Sequence, residues 1–225
     1  MPPEEPSQHI LSSFDAELEQ LRIDLIQMGN LVLRAVDGSV NGLLTRDIER
    51  CSDVIDDDEL IDQKQKEIDS RGMSILLRYS PMASDFRAAV SALSVCRSLE
   101  RVGDHAVNIS KSSRKILKHG ECPEIGLVKP LFEATRSQLV KALQAYTNAD
   151  SLQALEIIEG DKKVDKLHKK LSKALPAMVD SGGSDVKGIL HLLFISRFLE
   201  RIGDLAASIG EDVVFISSAE DIRHA

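Results

Sequence analysis

The sequence of 225 residues is poor in aromatic side chains and in cysteine. It holds 6 Phe, 2 Tyr and no Trp, which is thin for a β-sandwich or barrel core and for a protein that stacks nucleic-acid bases. The 3 cysteines lie far apart without a C-x-x-C pair. This sparse set argues against a disulfide framework or a zinc knuckle and favours a reducing compartment.

Long apolar runs are also missing. The N-terminus is acidic and lacks the apolar core of a signal peptide, and the longest apolar stretch, 188–195, is far below the ~20 residues that cross a bilayer. The net charge of −8 disfavours DNA, RNA and anionic lipid as main partners, and it suits cations or a basic protein surface. We therefore expect a soluble cytoplasmic protein that does not bind nucleic acid.

Proline-free segments with helical spacing make up most of the chain. Apolar residues recur at helical intervals between the few prolines, and no clean alternation of apolar and polar residues occurs. The sequence therefore predicts an all-α fold of six long helices. Their predicted bounds are 14–44, 47–79, 84–117, 129–148, 151–180 and 185–217.

Short polar residues mark where four of these helices begin. Ser84 and Ser184 are each followed by an aspartate, and both are predicted to be helix N-caps with a negative first turn. Asp47 and Asp150 are predicted to start two other helices in the same way.

The chain is a tandem repeat. Segment 98–104, S-L-E-R-V-G-D, recurs as F-L-E-R-I-G-D over 198–204, and segment 54–62 recurs over 157–165. Each half is therefore predicted to be a three-helix bundle, and two bundles built on one plan should pack with pseudo-two-fold symmetry. The predicted units are an irregular tail at 1–12, a first bundle at 13–118, a linker at 119–128 and a second bundle at 129–225.

Four acidic pairs at i, i+4 spacing lie on the repeated segments, so both carboxylates of a pair share one helix face. Folding each predicted hairpin about its turn, at Pro81 or between Gly182 and Gly183, places two such pairs at one height. Antiparallel helices pack about 8–10 Å apart, so facing carboxylates can share cations. The eight acids are Asp58, Asp62, Glu100, Asp104, Asp161, Asp165, Glu200 and Asp204.

A cation site in each half is the chemistry that this pattern favours. Four anions in a partly desolvated groove repel one another strongly unless something compensates them, and oxygen-only ligand sets suit hard cations such as Mg²⁺, Ca²⁺, Mn²⁺ or iron. Gly103 and Gly203 weaken their helices, and their recurrence predicts close approach by a neighbouring helix or by a metal cluster.

Two other interpretations stay open. The acids could be solvated on exposed helix faces and paired with neighbouring cations such as Arg97 and Lys162. They could instead serve a carboxylate-bridged iron or manganese metalloenzyme, for which Asp165-Lys-Leu-His168 comes nearest to the required Glu-x-x-His. That histidine is not duplicated, because Gln65 holds the matching position, and no nucleotide-loop, nucleophile-elbow or H-E-x-x-H motif occurs. These absences count against the metalloenzyme interpretation.

At these residues the chain resembles the PhoU family of phosphate-signalling regulators. The resemblance rests on the duplicated L-E-R-(V/I)-G-D, the upstream D-x-x-x-D pairs, S-D-F-R at 84–87 and D-I-R-H at 221–224. It covers roughly residues 14–224. It implies two three-helix bundles with pseudo-two-fold symmetry and metal clusters on the eight carboxylates, the metal being iron, manganese, magnesium, calcium or zinc.

The resemblance also implies a function. PhoU-like proteins are non-enzymatic negative regulators of the phosphate-starvation response, and they couple a phosphate ABC transporter, through its ATPase PstB, to the sensor kinase PhoR. Other members of the family serve other phosphate transporters. A PhoU-like chain is also expected to form a homodimer and to reach the membrane only through its partners.

This chain departs from the family pattern at two positions near the acids. Asn108 keeps the family's G-D-x-x-x-N pattern whereas Ser208 replaces the asparagine in the second half, and Asp57 stands where the second half has Gly160, which makes the first site more acidic. Four residues are candidates for a ligand or supporting role at the metal: Asn108, Ser208, Arg97 and Arg197.

Overall fold

A computed structural model of the chain describes residues 6–120, 122–180 and 185–219. It describes the side chains of all these residues except 6–12 and 180. Within these ranges the fold is entirely helical, with no strand. A 3₁₀ helix over Pro123–Val128 precedes α5. The α-helices are α1 Pro6–Leu44, α2 Ile48–Asp56, α3 Asp58–Tyr79, α4 Ala83–His119, α5 Lys129–Asn148, α6 Ser151–Asp180 and α7 Val186–Ser218.

The second of the six predicted helices is divided at Asp57. Asp57 keeps right-handed helical torsion angles (φ −75°, ψ −7°), but its carbonyl accepts the N–H of Leu60, three residues on, at 3.0 Å. This tighter turn falls in a run of three aspartates, whose like charges and low helix propensity disfavour a regular helix. The prediction of one unbroken helix over 47–79 is therefore wrong at this residue.

Two boundaries differ from the predicted units. Helix α1 begins at Pro6 and so extends into the segment 1–12 predicted as an irregular tail; proline is well suited to the first helical turn, where its missing N–H has no intrahelical partner anyway. The predicted linker 119–128 contains the 3₁₀ helix Pro123–Val128.

Aspartate caps hold two helix starts as predicted. Asp47 Oδ1 accepts the N–H of Arg50 at 2.9 Å, and Asp150 Oδ1 accepts the N–H groups of Leu152 and Gln153 at 3.1 and 3.0 Å. Both carboxylates thus satisfy backbone donors that have no intrahelical partner.

The other two caps differ from prediction. Met82 rather than Ser84 occupies the N-cap of α4, and it makes no side-chain cap bond. Asp185 caps α7 by accepting the N–H groups of Lys187 and Gly188. The predicted cap Ser184, the predicted turn at 182–183 and the motif at 221–224 lie outside the described residues.

The helices form two three-helix bundles that share one core. Helices α1, α2–α3 and α4 make the first bundle, and α5, α6 and α7 make the second, with α4 and α7 packed side by side between them. Leu99 and Ile109 of α4 and their counterparts Leu199 and Ile209 of α7 are fully buried. The two bundles follow one plan, with pseudo-two-fold symmetry. Among the described helices, none is long and apolar enough to span a membrane.

Candidate metal centres

Glycines bring the acidic helices of each hairpin close together. A Cβ built on Gly203 of α7 would lie 2.9 Å from Val164 Cγ1 and 3.3 Å from Asp161 Oδ1, both on α6. A Cβ on Gly103 of α4 would lie 3.8 Å from Asp58 Oδ1 of α3. The recurrent glycines therefore admit side chains of the neighbouring helix, which is the first of the two close approaches predicted from the sequence.

The first patch consists of Asp58 and Asp62 on α3 and Glu100 and Asp104 on α4. Asp62 and Asp104 are exposed, whereas Asp58 and Glu100 are half-buried. Burial raises the pKa of Asp58, and the charges of Asp62 and Asp104 raise it further. Burial likewise raises the pKa of Glu100, followed by the charges of the other three acids. Both raised pKa values therefore include a contribution from acids on the opposite helix of the α3–α4 hairpin, although the four first-patch carboxylates do not form a group as close as that in the second half.

The second patch consists of Asp161 and Asp165 on α6 and Glu200 and Asp204 on α7, all half-buried. One carboxylate oxygen each of Asp161, Asp165 and Asp204 lies within 4.8 Å of the others, and no other group of three acid, His or Cys side chains in the described residues is as close. Burial raises the pKa of Asp161, as do the charges of Asp204 and Asp165. Burial and the charge of Glu200 raise the pKa of Asp204.

The donor set of the second patch fits a hard cation. All its side-chain donors are carboxylate oxygens, the ligands that Mg²⁺, Ca²⁺ and Mn²⁺ prefer. Glu200 Oε2 is buried without a hydrogen-bond partner, and the nearest cationic atom is Arg201 Nε at 3.9 Å. A buried charged oxygen without a partner is costly, but Glu200 does not belong to the close triad. A cation held by the three aspartates would offset their mutual repulsion.

The interpretation of the acids as paired surface charges applies in part to the second patch. Arg201 Nη1 donates to Asp204 Oδ2 at 3.1 Å, and Lys169 Nζ lies 3.6 Å from Asp165 Oδ2. Exposed pairs of this kind contribute little to stability, about 0–1 kcal/mol, so a bound cation could displace them. Among the described residues, no basic side chain lies within 4 Å of a first-patch carboxylate.

In the part of the chain that the structure describes, the four supporting candidates make no hydrogen bond or ion pair with a patch carboxylate. The Ser208 hydroxyl donates to the backbone carbonyl of Asp204 at 3.1 Å. Asn108 is half-buried and lies one helical turn after Asp104. Arg97 and Arg197 are exposed. A ligand or supporting role for these residues stays a prediction.

His168, the histidine of the metalloenzyme interpretation, forms hydrogen bonds with serine side chains. His168 Nδ1 lies 2.7 Å from Ser196 Oγ and 3.5 Å from Ser172 Oγ. The close triad of the second patch does not include His168. The ring is therefore held one turn away from Glu200, in a hydrogen-bonded position of its own.

Gln138 of α5 is the neighbour that sequence reasoning missed. Its Nε2 lies 3.3 Å from Asp161 Oδ1, 3.3 Å from the carbonyl of Ile157 and 3.4 Å from the carbonyl of Gly203. The side chain is buried, at 6% exposure. The contact could not be predicted from the two helices of the hairpin, because Gln138 lies on the third helix of the bundle. The available signal in the sequence was a glutamine on the apolar stripe of α5, next to the buried Leu139.

This fold and site define a class of all-helical tandem repeats that carry one four-carboxylate patch on each of two pseudo-symmetric bundles. The PhoU domain model matches the chain twice, over residues 25–113 and 128–213. The chain therefore belongs to the PhoU family.

Relatives agree over nearly the whole chain. The phosphate-specific transport system accessory protein PhoU homolog of Pseudomonas putida is 33% identical over 96% of this chain and 85% of its own length. The homolog of the same name in Pseudomonas aeruginosa is 32% identical, over 96% and 90%.

Two crystal structures share the fold. PhoU from Pseudomonas aeruginosa matches with a TM-score of 0.89 and 31% identity, over 92% of this chain and all of that one (100%). The phosphate transport system regulatory protein PhoU from Streptococcus pneumoniae matches with a TM-score of 0.86 and 28% identity, over 93% and 99%.

Proposed function

We propose that this chain is a non-enzymatic accessory protein of a phosphate-specific transport system and that it binds hard cations on its two patches. The carrying observation is the recurrence of four carboxylates on one hairpin in each half, three of which lie within 4.8 Å of one another in the second half. It occurs in a member of a family whose curated relatives are named phosphate-specific transport system accessory proteins.

The eight patch carboxylates would hold the cations, which we expect to be iron, manganese, magnesium, calcium or zinc. A bound cation supplies positive charge to a cluster of four negative groups. It offsets the mutual repulsion that, after burial, raises the pKa values of Asp58, Glu100, Asp161 and Asp204. Loading therefore changes the charge that each hairpin presents to a partner. This change is the physical means by which cation binding would select a partner surface.

The regulatory part of the proposal concerns partners. The chain would act as a negative regulator of the phosphate-starvation response in the cytoplasm, where it couples the ATPase of a phosphate ABC transporter (PstB-like) to a sensor histidine kinase (PhoR-like). It would act as a homodimer and reach the membrane through these partners. The two pseudo-symmetric bundles support this proposal because they offer two similar acidic surfaces on one chain.

Affinity capture with the tagged full-length chain tests this function. From a lysate of source cells grown with ample phosphate, we expect mass spectrometry to identify the transporter ATPase or the sensor kinase in the captured material. A chelator, or the triple variant D161N/D165N/D204N, should lower the recovery severalfold. The exposed α6 variant E159Q, outside the patch, is the matched control and should capture as the wild type does.

Each outcome of the capture bears on one part of the proposal. Recovery of neither protein would overturn the coupling of transporter and kinase. Recovery that is unaffected by both the chelator and the triple variant would overturn the role of cations in partner selection.

A further inference from the structure

The two halves differ at one buried position next to the acids. Gln138 of α5 and Ala35 of α1 hold the same place in the repeat, since the N-cap aspartates Asp47 and Asp150 and this pair share a separation of 103 residues. Both side chains are buried, at 6% and 8% exposure. Only the second half therefore has a polar group at this point of the bundle core.

The amide of Gln138 ties three helices together beside the second patch. Its Nε2 group is within 3.4 Å of Asp161 Oδ1 and of one backbone carbonyl each on α6 and α7. An N–H donated to a carboxylate restrains that side chain and stabilises its ionised form. In accord with this, the Gln138 contact opposes the rise in the pKa of Asp161 that burial causes.

The other end of the same amide has no partner. Gln138 Oε1 is buried and accepts no hydrogen bond, although buried amide oxygens are nearly always satisfied. Amide oxygens belong to the ligand class of hard cations. This unsatisfied acceptor belongs to the same amide whose Nε2 contacts Asp161.

We propose that Gln138 is a positioning residue that orients Asp161 and makes the second patch the tighter of the two cation sites. This inference rests on the proposed function, because it requires that the patches bind cations. The three aspartates of the second patch are already held within 4.8 Å of one another. A cation arriving there has less side-chain ordering to impose than at the more exposed first patch.

Charge alone would rank the patches in the opposite order. Asp57 adds a negative charge beside the first patch, where the second half has Gly160. However, Asp57 is exposed, so salt screens its attraction. Basic side chains oppose cation entry at both patches, since the charge of Lys111 lowers the pKa of Asp58, while Arg201 and Lys169 pair with Asp204 and Asp165. We therefore expect preorganisation to outweigh charge count.

Calorimetric titration of the chelator-treated full chain with Mn²⁺ tests the inference. We expect a tight and a weak class of sites in the wild type, with D204N removing the tight class and D104N removing the weak class. Q138M keeps the bulk of the side chain without its amide. It should weaken the tight class by about 10- to 100-fold, the usual effect of removing a group that orients a ligand.

The weak class is the internal control. If Gln138 only supported the fold, Q138M would alter both classes, whereas a positioning role leaves the weak class unchanged. Wild-type affinity of the tight class in Q138M, or loss of the tight class in D104N instead of D204N, overturns the inference while cation binding stands. No Mn²⁺ binding by the wild type would overturn the cation part of the proposed function itself. If Q138M does not fold, the two aspartate variants still rank the patches.

Discussion

The two patches have the same four carboxylates on the same two helices of a repeat, yet their surroundings differ. In the first patch two acids are exposed, and Lys111 is the basic group that lowers the pKa of Asp58. In the second patch all four acids are half-buried, and Gln138 and Arg201 bond directly to its aspartates. Duplication thus preserved where the acids lie, while substitutions on neighbouring positions changed how they are held.

The halves differ again in their first helices. Helix α1 has 39 residues and α5 has 20, so the N-terminal part of α1 extends beyond its counterpart. An ion network holds this extension to α3: Arg71 Nε donates to Asp24 at 3.0 Å and Arg71 Nη1 donates to Glu17 at 2.9 Å. Asp24 is only 6% exposed. The extension is therefore fastened by charge as well as by apolar packing.

The largest effect is expected from breaking this fastening. R71M would leave the buried Asp24 with the neutral amide of Gln20, which donates to Oδ1 at 3.2 Å, and with the Lys64 ammonium 3.8 Å away. Removing one partner of a buried pair costs about 3–5 kcal/mol; because the Arg71 side chain is 35% exposed, we expect about 2 kcal/mol. Urea unfolding measures the loss.

The double variant D24L/R71M is the control for this prediction. With both charges replaced by apolar groups of similar size, no buried charge is left unpaired, and stability should return to within about 1 kcal/mol of the wild type. A double variant as unstable as R71M alone would show that the loss came from packing and not from the stranded Asp24 carboxylate.

A matched pair of glycine substitutions compares the two hairpins at the patches. In G203A the new Cβ would lie 2.9 Å from the stiff Val164 Cγ1, whereas in G103A it would lie 3.1 Å from the flexible end of Ile61, Cδ1. Overpacking costs about 1–3 kcal/mol, and replacing a helical glycine with alanine returns about 1 kcal/mol. We expect G203A to lose about 1 kcal/mol and G103A to change little. Equal losses in thermal or urea unfolding would contradict this difference between the hairpins.

The sequence predicted the architecture and the facing acids because both follow from periodicity and from the repeat. Helical spacing between prolines located six helices, and reflection about each turn paired Asp58 with Asp104 and Asp161 with Asp204. One carboxylate oxygen of Asp161 lies within 4.8 Å of one of Asp204, and the charge of Asp104 contributes to the raised pKa of Asp58 after burial. This part of the fold needs only two helices and the turn between them.

The features that the sequence did not predict depend either on a third helix packing against the hairpin or on several neighbouring residues that favour the same turn or cap. Gln138 reaches Asp161 from α5, which lies outside the α6–α7 hairpin about whose turn the acids were paired. The break at Asp57 and the cap at Met82 in place of Ser84 arise where several turn-forming or acidic residues compete within a few positions. Propensity alone does not rank such neighbours.

The smallest expected effect is a pH dependence that separates the apo and cation-loaded proteins. Asp58, Glu100, Asp161 and Asp204 have pKa values raised by burial and by the charges of neighbouring patch acids. The folded state therefore holds these protons more tightly than the unfolded chain. Without cations, the free energy of unfolding should rise as pH falls through the raised pKa values, and this gain is complete below the ordinary carboxyl pKa of about 4.

Saturating Mn²⁺ should reverse this slope, because the cation binds the ionised acids and is lost as they take up protons. The change without cations should stay below about 1 kcal/mol, since these acids are partly solvated. Urea unfolding between neutral pH and pH about 5, with and without Mn²⁺, measures both slopes. Without cations, D58N should remove only the contribution of the first patch to the pH dependence of the free energy of unfolding. D161N should remove only the contribution of the second patch. An apo protein that loses stability over this range in both variants and the wild type would mean that charges outside the patches control its acid response.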